Sequence, residues 1–345
     1  MTSSHGLYCD ERAGGSRKYY LGDPPPSVRM RIPNNYLDCV CFICVKVARL
    51  GAEEDFFIGT GFFCSVPSTL PGLRHSYLVT DRHVIRDAKA EGYSEFYVRL
   101  NMANGRSVSA VIPDAWIYPE NPAVDLAVLP VTLPSEVAGI KTQLLTIKCE
   151  DFVTEEVIKE YGIGVGDNLF ITGLFSQRWG YQRNIPIVRT GIIASMPDEP
   201  FPTKEGELYD GYLIETRSIG GLSGSPVYVY LDAWRPQYHK EVSTFNTSNL
   251  QWRIYTLGIV RGHWDLERQD EAVDVSLAAK LVNNEIERLN TGIAVVTPIR
   301  EVQKILQGEE LMKHRERGVK NLIASHEPRA RVKSCGNSFS ASSLV

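Results

Sequence analysis

The stretch on which the interpretation of the chain depends is Ile219-Gly-Gly-Leu-Ser223-Gly-Ser-Pro-Val227, where a serine lies between glycines directly before a strand-forming run. Glycine has no Cβ, so it adopts backbone angles that cost other residues energy, and it lets a substrate backbone come close. A nucleophilic serine needs this setting, with neighbouring N–H groups directed at the oxygen that becomes negative during acyl transfer. Glycine and serine also cluster in ordinary turns. The stretch alone therefore leaves two interpretations open, a simple turn and a nucleophile.

Length and composition exclude several classes of protein. The chain has 345 residues, enough for one large domain or two smaller ones, of which 43% are hydrophobic and 23% charged. Its net charge of -4 argues against general affinity for nucleic acid. The first 20 residues lack the apolar run of a secretory signal, and no stretch has the length of a membrane span. We therefore expect a soluble, cytoplasmic protein without a membrane span.

The cysteines point to the same compartment. There are seven, an odd number without the spacing of a disulfide framework, which fits reduced thiols in a cytoplasm. Cys39, Cys41 and Cys44 could suggest a metal cluster, but they lie in an apolar run (39–47) typical of a buried strand, where cysteine acts as a small hydrophobic residue. No second pair of His or Cys at zinc spacing completes a site. The sequence therefore predicts neither a metal nor another cofactor.

The spacing of strand-like runs predicts an all-β fold of two six-stranded antiparallel β-barrels with a C-terminal helix. The runs of the first barrel (35–131) are 39–48, 56–66, 76–80, 96–100, 107–113 and 126–131. Those of the second barrel (167–308) are 168–174, 185–194, 211–216, 226–230, 252–261 and 292–298. A Gly-, Ser- and Pro-rich segment, 1–34, is expected to be a flexible N-terminal arm, and 132–166 a linker.

The segments between and after the runs carry weaker signals. A short helix is predicted at Glu155–Tyr161 in the linker, and helical periodicity at 299–306 predicts the closing helix. Two insertions, 231–250 and 265–291, interrupt the second barrel, and the latter contains a helical pattern at 278–289. The basic, Ser-rich tail, 309–345, is expected to be disordered, with a tether to nucleic acid or membrane as the alternative.

Two further stretches could supply the partners of a nucleophilic serine. The run 76–80 leads to His83, and a histidine at a strand end is either a surface or capping residue or a general base. Asp125 leads directly into an apolar strand. An acid there either caps a turn or accepts the Nδ1 proton of a histidine, which leaves Nε2 free as a base. The chain order His83, Asp125, Ser223, spread over two successive six-strand patterns, favours the catalytic interpretation.

The three stretches resemble the motifs of trypsin-like, chymotrypsin-fold serine peptidases, and come closest to the standalone bacterial domains. The matching segments are Thr80-Asp-Arg-His83-Val for Thr-x-x-His-Val, Asp125-Leu-Ala-Val for Asp-[Ile/Leu]-Ala-[Val/Leu], and Gly221-Leu-Ser223-Gly-Ser-Pro226 for Gly-x-Ser-Gly-[Gly/Ser]-Pro. Supporting matches are Gly59-Thr-Gly61 before the histidine, and Leu257-Gly-Ile-Val-Arg-Gly262 and Gly292-Ile-Ala-Val-Val-Thr-Pro-Ile299 after the serine. The resemblance extends over residues 36–308.

This resemblance implies a mechanism and an oxyanion hole. Ser223 Oγ would attack a peptide carbonyl, His83 would take its proton and pass it to the leaving amine, and Asp125 would orient the imidazole. The backbone N–H groups of Gly221 and Ser223 would hold the oxyanion. Leu222 stands where secreted zymogens of the family carry an aspartate, so activation by N-terminal cleavage is not expected. A regulatory protein partner or the two insertions are candidates for restraining such an enzyme.

Substrate preference depends on the pocket. By counting back from the serine, the resemblance puts Arg217 at the base of the pocket with Ser218 beside it, and Arg261, Gly262 and His263 along its lining strand. A cationic pocket would favour acidic side chains before the scissile bond. The alternative is that Arg217 points to solvent or pairs with a carboxylate such as Glu215.

The leading hypothesis is a serine endopeptidase acting on protein or peptide substrates. One competitor is a trypsin-fold binding module without activity, which the complete set of triad residues argues against. The other is a scaffold tethered through the basic tail, whose binding to nucleic acid or anionic lipid would depend on salt. Labelling by a serine-directed probe separates the first two hypotheses.

Overall fold

The computed structural model of the protein describes residues 31–49, 51–203, 206–216, 221–232, 253–265 and 290–326. The chain divides between Pro33 and Asn34, and the helices and strands given below all belong to the unit that begins at Asn34. Three of the predicted segments lie largely outside the described residues. They are the expected N-terminal arm, the two insertions with the helical pattern at 278–289, and the tail beyond residue 326.

The first half of this unit is an antiparallel sheet in which strand β1 occupies a central position. Its elements are α1 (Asn35–Asp38), β1 (Val40–Arg49), β2 (Ala52–Pro67), β3 (Arg74–Thr80), α2 (Arg82–Ala90), β4 (Phe96–Asn101), β5 (Ser107–Ile112) and β6 (Ala127–Val131). They follow the order β5-β4-β1-β2-β3-β6 across the sheet. The first six residues of β1 are buried, so this strand is apolar on both faces rather than alternating.

The cysteines at the start of β1 are part of the core. Cys39, Cys41 and Cys44 are buried, as is Cys64 in β2, whereas Cys149 is half-buried. None of these five cysteines forms a disulfide. Burial raises the pKa of the Cys39 and Cys44 thiols to about 12. A thiol that stays protonated is a poor nucleophile and a poor metal ligand, so these side chains act as small apolar groups.

The segment between the two halves contains more regular structure than a linker. It comprises β7 (Glu136–Val137), β8 (Ile140–Lys141), β9 (Ile147–Lys148), a 3-10 helix (Cys149–Asp151) and α3 (Glu155–Tyr161). Helix α3 has the predicted bounds because Thr154 caps its first turn by accepting a hydrogen bond from Val157 N, and Gly162 ends it in the left-handed conformation. Strand β9 pairs in parallel with β2 and becomes the seventh strand of the first sheet.

The second half is a closed antiparallel barrel. Its elements are β10 (Asn168–Gly173), β11 (Ile187–Ser195), β12 (Phe201–Pro202), β13 (Leu208–Tyr209), β14 (Tyr212–Glu215), β15 (Pro226–Leu231), β16 (Arg253–Asp265), β17 (Asn290–Pro298) and α4 (Ile299–Gln307). Six of the strands close in the order β10-β11-β14-β17-β16-β15, and β12 and β13 form a separate hairpin. The predicted all-β fold with a closed six-stranded antiparallel barrel and a C-terminal helix is confirmed, and the first of the two predicted six-stranded barrels is a sheet of seven strands, with β9 as the added strand.

The expectation of a disordered tail is wrong for its first part. Residues Glu309–His326 form helix α5. Leu311 is buried, and Arg315 donates hydrogen bonds to the hydroxyl of Tyr77 and to the carbonyl of Leu306. The ion pair from Lys313 to Glu309 at i,i+4 further supports the helix. Charge density suggested a solvated segment, but the hydrogen bonds of Arg315 tie α5 to β3 of the first sheet and to α4. Within the described residues, no helix is both long and apolar enough to cross a bilayer.

Candidate active site

The start of helix α2 brings His83 against Asp125, which lies just before β6. Asp125 Oδ1 accepts a hydrogen bond from the backbone N–H of His83 at 2.9 Å, and its Oδ2 lies 2.6 Å from His83 Nδ1. The carboxylate therefore both satisfies a free N–H at the N-terminus of α2 and fixes the imidazole ring. With Nδ1 bound to the carboxylate, Nε2 is the nitrogen left to act as a base.

The pair is partly shielded from water, which strengthens its electrostatics. The His83 side chain is 25% exposed and that of Asp125 is 14% exposed. Burial lowers the pKa of His83, but its hydrogen bond to Asp125 and the negative charges of Asp81 and Asp125 outweigh this and raise it to about 9. Burial raises the pKa of Asp125, but hydrogen bonding to His83 and the charge of its ring hold it below the usual range. Asp125 is thus the ionised partner of the pair.

Ser223 lies on a tight turn directly before β15. The residue is half-buried, so it remains accessible from the surface. Gly221 and Gly224 on either side adopt φ angles of 99° and 81°, in the region that favours glycine. A Cβ at Gly224 would lie 2.1 Å from the carbonyl oxygen of Thr60 and 2.5 Å from Thr80 Oγ1. Residues 221–224, called the nucleophile turn below, therefore pack directly against the first sheet, and glycine is required at position 224.

Thr60 in β2 binds this turn through two hydrogen bonds and binds Leu174 through a third. Its N–H donates to the carbonyl of Ser223 at 3.0 Å, and its hydroxyl donates to the carbonyl of Gly221 at 2.7 Å. The same hydroxyl accepts a hydrogen bond from Leu174 N at 2.9 Å. Thr60 is fully buried. One residue of the first sheet thereby binds the main chain on both sides of Leu222, Gly221 through its hydroxyl and Ser223 through its backbone N–H.

Asp81 provides the second link to the nucleophile turn. Its Oδ2 accepts a hydrogen bond from Gly224 N at 2.7 Å and lies 4.0 Å from His83 Nδ1. The side chain is fully buried, and burial followed by the charge of Asp125 raises its pKa well above the ordinary value. A single oxygen atom therefore lies between the imidazole and the residue that follows Ser223.

The triad predicted from the sequence is thus brought into one neighbourhood, but one of its hydrogen bonds is missing. Among the described residues, no hydrogen bond joins Ser223 Oγ to His83. The carbonyl of Ser223 is bound to Thr60 in the first sheet, and the N–H of Gly224 is bound to Asp81, whose carboxyl oxygen faces the imidazole. Contacts between nucleophile and base are often long in a site without substrate.

The pocket residues predicted from the sequence are only partly visible. Arg217 and Ser218 lie outside the described residues. Arg261 and Gly262 lie in β16, as does His263, whose backbone pairs in register with Ala294. The guanidinium of Arg261 lies 4.0 Å from Asp125 Oδ2, donates to the carbonyl of Ala123, and covers the ring of Tyr209. Its charge lies beside the carboxylate of Asp125.

Three residues are the candidates for a cation site in the described part of the chain: Asp81, His83 and Asp125. Their possible metal-ligand atoms all lie within 4.8 Å of one another. However, Nδ1 of His83 is hydrogen-bonded to Asp125, and Oδ2 of Asp81 is hydrogen-bonded to Gly224 N. These atoms already have partners, so we assign the cluster to the hydrogen-bond network of the site and not to a metal.

Thr60 and Asp81 were not assigned a role from the sequence, although both lie inside the quoted motifs. Thr60 is the central residue of Gly59-Thr-Gly61, and Asp81 is the first variable position of the histidine motif. A signal was present in the second case: an acid directly after the strand-like run 76–80, two residues before a candidate base.

Comparisons with known proteins give fold-level likenesses only. No family model and no curated protein matches the chain. It is similar to an HtrA-type protease, AlgW, in a structure with a decapeptide, at 15% identity and a TM-score of 0.44, covering 81% of this chain and 66% of that one. It is also similar to Deg5 (16%, 0.40) and to the Rv3671c protease in an inactive form (16%, 0.37), each covering 79% of this chain and 88% of the other. The chain thus spans just under two thirds of the AlgW chain.

Proposed function

We propose that the protein is a trypsin-like serine endopeptidase that cleaves peptide bonds through Ser223, His83 and Asp125. The observation that carries the proposal is the junction at Asp81, whose Oδ2 lies 2.7 Å from Gly224 N and 4.0 Å from His83 Nδ1. It brings a glycine-flanked, half-buried serine beside a histidine already oriented by a carboxylate. Acyl transfer of this kind needs a nucleophile, a general base and an acid that orients the base, and we assign these roles to Ser223, His83 and Asp125.

In the proposed mechanism, His83 Nε2 removes the proton of Ser223 Oγ as the oxygen attacks the substrate carbonyl. Asp125, bound to Nδ1 at 2.6 Å, stabilises the imidazolium that forms. The N–H groups of Gly221 and Ser223 stabilise the oxyanion. The imidazolium then protonates the leaving amine, and a water molecule, activated by the same histidine, hydrolyses the acyl-enzyme.

The experiment that tests this proposal is labelling with a fluorophosphonate probe combined with peptide cleavage. We expect the full-length protein to be labelled, and Ser223→Ala to lose labelling and to lower kcat on the order of 10⁶-fold. Ser225→Ala is the matched control, since its hydroxyl is buried without a hydrogen-bond partner among the described residues. Wild-type cleavage by the Ser223→Ala protein would refute the assignment.

We include a preference for acidic residues before the scissile bond as a finer part of the proposal. Its support is the cationic composition expected around Arg217 and Ser218. Arg261 adds little, because its guanidinium lies beside Asp125 and over Tyr209. Peptides that differ only at this position test the preference: faster cleavage after Glu than after Lys is expected, and equal rates would refute it while leaving the serine mechanism intact.

A reducing compartment such as the cytoplasm belongs to the same proposal. The five described cysteines form no disulfide. We expect the protein purified without reductant to contain free thiols only, as titration of the denatured chain with a thiol reagent would measure. A disulfide recovered from freshly lysed cells would contradict this assignment.

The second candidate function is a trypsin-fold binding protein without activity. The observation that favours it is the absence, within the described residues, of a hydrogen bond between Ser223 Oγ and His83. The fluorophosphonate experiment separates the two functions, because a binding protein would remain unlabelled at every pH while still retaining peptides.

A further inference from the structure

Asp81 lies at the N-cap of helix α2, but its side chain does not cap the helix. It is the N-cap residue of α2, a place where aspartate is favoured because its carboxylate accepts hydrogen bonds from the first turn. Its side chain makes no such bond. Asp125 performs this role instead, by accepting the hydrogen bond of His83 N. The carboxyl of Asp81 is therefore free for another partner, and that partner is Gly224 N on the nucleophile turn.

This arrangement costs stability. The Asp81 side chain is fully buried, and its second oxygen, Oδ1, has no hydrogen-bond partner among the described residues. Burial of an ionisable group with an unsatisfied oxygen is unfavourable, and such groups in a native structure call for an explanation. Asparagine at this position would keep an acceptor for Gly224 N without the charge. The carboxyl group itself must therefore contribute something that an amide could not.

We propose that Asp81 is a positioning residue of the serine site: its carboxyl holds the nucleophile turn through Gly224 N and, by gaining or losing a proton, controls whether His83 is free to act as a base. The proposal rests on the proposed function and deepens it. Its geometric basis is the oxygen Oδ2, which is bound to the turn at 2.7 Å and faces the imidazole at 4.0 Å.

The charges around Asp81 explain how this control operates. Asp125 and His83 face it from within the site, Arg261 faces it from β16, and Asp87 of α2 acts on His83 from further along the helix. Ionised Asp81 raises the pKa of His83, whereas burial and the charge of Asp125 raise the pKa of Asp81 itself. The two groups therefore compete for one proton. When Asp81 holds it, the imidazole is neutral and can accept the proton of Ser223.

The test compares Asp81→Asn with wild type by following the imidazole of His83 in NMR titrations, in the Ser223→Ala background to prevent self-cleavage. Asparagine retains the size and an acceptor for Gly224 N, but cannot take the negative charge. We expect the pKa of His83 to fall by more than one unit. Asp87→Asn is the matched control, since it removes a negative charge from helix α2 at a side chain that is 58% exposed. Because solvent and salt screen an exposed charge, this substitution should change the pKa of His83 by less than about 0.3.

A second measurement links the shift to catalysis. With Ser223 present, the acid limb of the kcat/KM profile for Asp81→Asn should move to lower pH by the same amount as the NMR pKa. An unchanged pKa of His83 in Asp81→Asn would overturn the proposal, whatever the activity. If the wild-type protein neither reacts with fluorophosphonate nor cleaves peptides, the proposed function fails, while the NMR comparison still decides the role of Asp81.

Discussion

The two halves of the molecule hold their parts of the site by different means. In the first half, side chains make the contacts: the carboxylate of Asp125 binds both the ring and the backbone of His83. In the second half, every hydrogen bond that the described residues show from the nucleophile turn to the first half is made by the main chain of the turn, through Gly221, Ser223 and Gly224. The ring of His83 is thus oriented by one acid, whereas Ser223 is positioned by the path of its backbone.

This difference shows where each part of the site is vulnerable. The orientation of His83 depends on one side chain, so a single isosteric substitution of Asp125 should abolish it and leave the fold intact. The position of Ser223 depends on two residues of the other half, Thr60 and Asp81, so it should respond to changes far from it in sequence. Substitutions in each half can therefore test the comparison separately.

The largest effect is expected from Asp125→Asn, which breaks the side-chain arrangement of the first half. An amide at this position can favour the wrong tautomer of His83, and the expected loss in kcat is about 10⁴-fold. The unfolding temperature should change little. Asp114→Asn, which removes an exposed ion pair with Lys89, is the control. If kcat fell by less than about 10-fold, as for a typical surface substitution, Asp125 would not be the group that orients His83.

An intermediate effect is expected from Thr60→Val, which breaks the main-chain arrangement of the second half. Valine has nearly the same shape but leaves Leu174 N and the carbonyl of Gly221 without their partner. We expect the free energy of unfolding in urea to fall by about 1–3 kcal/mol. Displacement of the turn should lower kcat by about 10- to 100-fold with little change in KM.

The matched control for this substitution is Thr60→Ser, which retains the hydroxyl and loses only a methyl group. It should recover most of the kcat. If the serine and valine variants lose the same fraction of kcat, the hydroxyl bonds do not position the turn, and the distinction between the two halves is incorrect.

The smallest effect concerns the pH dependence of the free energy of unfolding. It tests the link between His83 and Asp81, where the two halves of the site meet. The pKa of His83 is raised from 6.5 to about 9, so its contribution to stability is complete below pH 6.5 and is lost as the pH rises through 9. The wild-type free energy of unfolding should therefore decline across this range, with a slope below about 1.4 kcal/mol per pH unit. Asp81→Asn should flatten the decline, as urea titrations at several pH values would measure. An equal slope in both proteins would contradict the link between the two groups.

The sequence predicted most of the fold because the strands carry strong local signals. All twelve strand-like runs correspond to strands, and their ends differ from the observed ones by a few residues. The two-residue strands β7, β8, β9, β12 and β13 were not predicted, since a pair of residues has no periodicity to detect. Helix α5 was missed because its anchors, Leu311 and Arg315, are too few to stand out in a charged segment.

The candidate site was predictable to the extent that its residues belong to compact motifs. His83, Asp125 and Ser223 were proposed as site residues in this way. The roles of Thr60 and Asp81 depend on partners 161 and 143 residues away, so no local pattern contains them. The orientation of Arg261 toward Asp125 likewise follows from how β16 crosses the site.

The order of these elements along the chain has a consequence for biosynthesis. The N–H of Gly224 is shared between Asp81, made early, and the carbonyl of Val260 in β16, made later, and Val260 N in turn donates to the carbonyl of Ser225. A ribosome-bound chain therefore contains its histidine and its acid long before its serine is locked in place. We expect stalled chains that end before Arg253 to resist the fluorophosphonate probe, and completed chains to react, so that the emerging polypeptide would be protected from its own chemistry. Labelling of the shorter chains would disprove this.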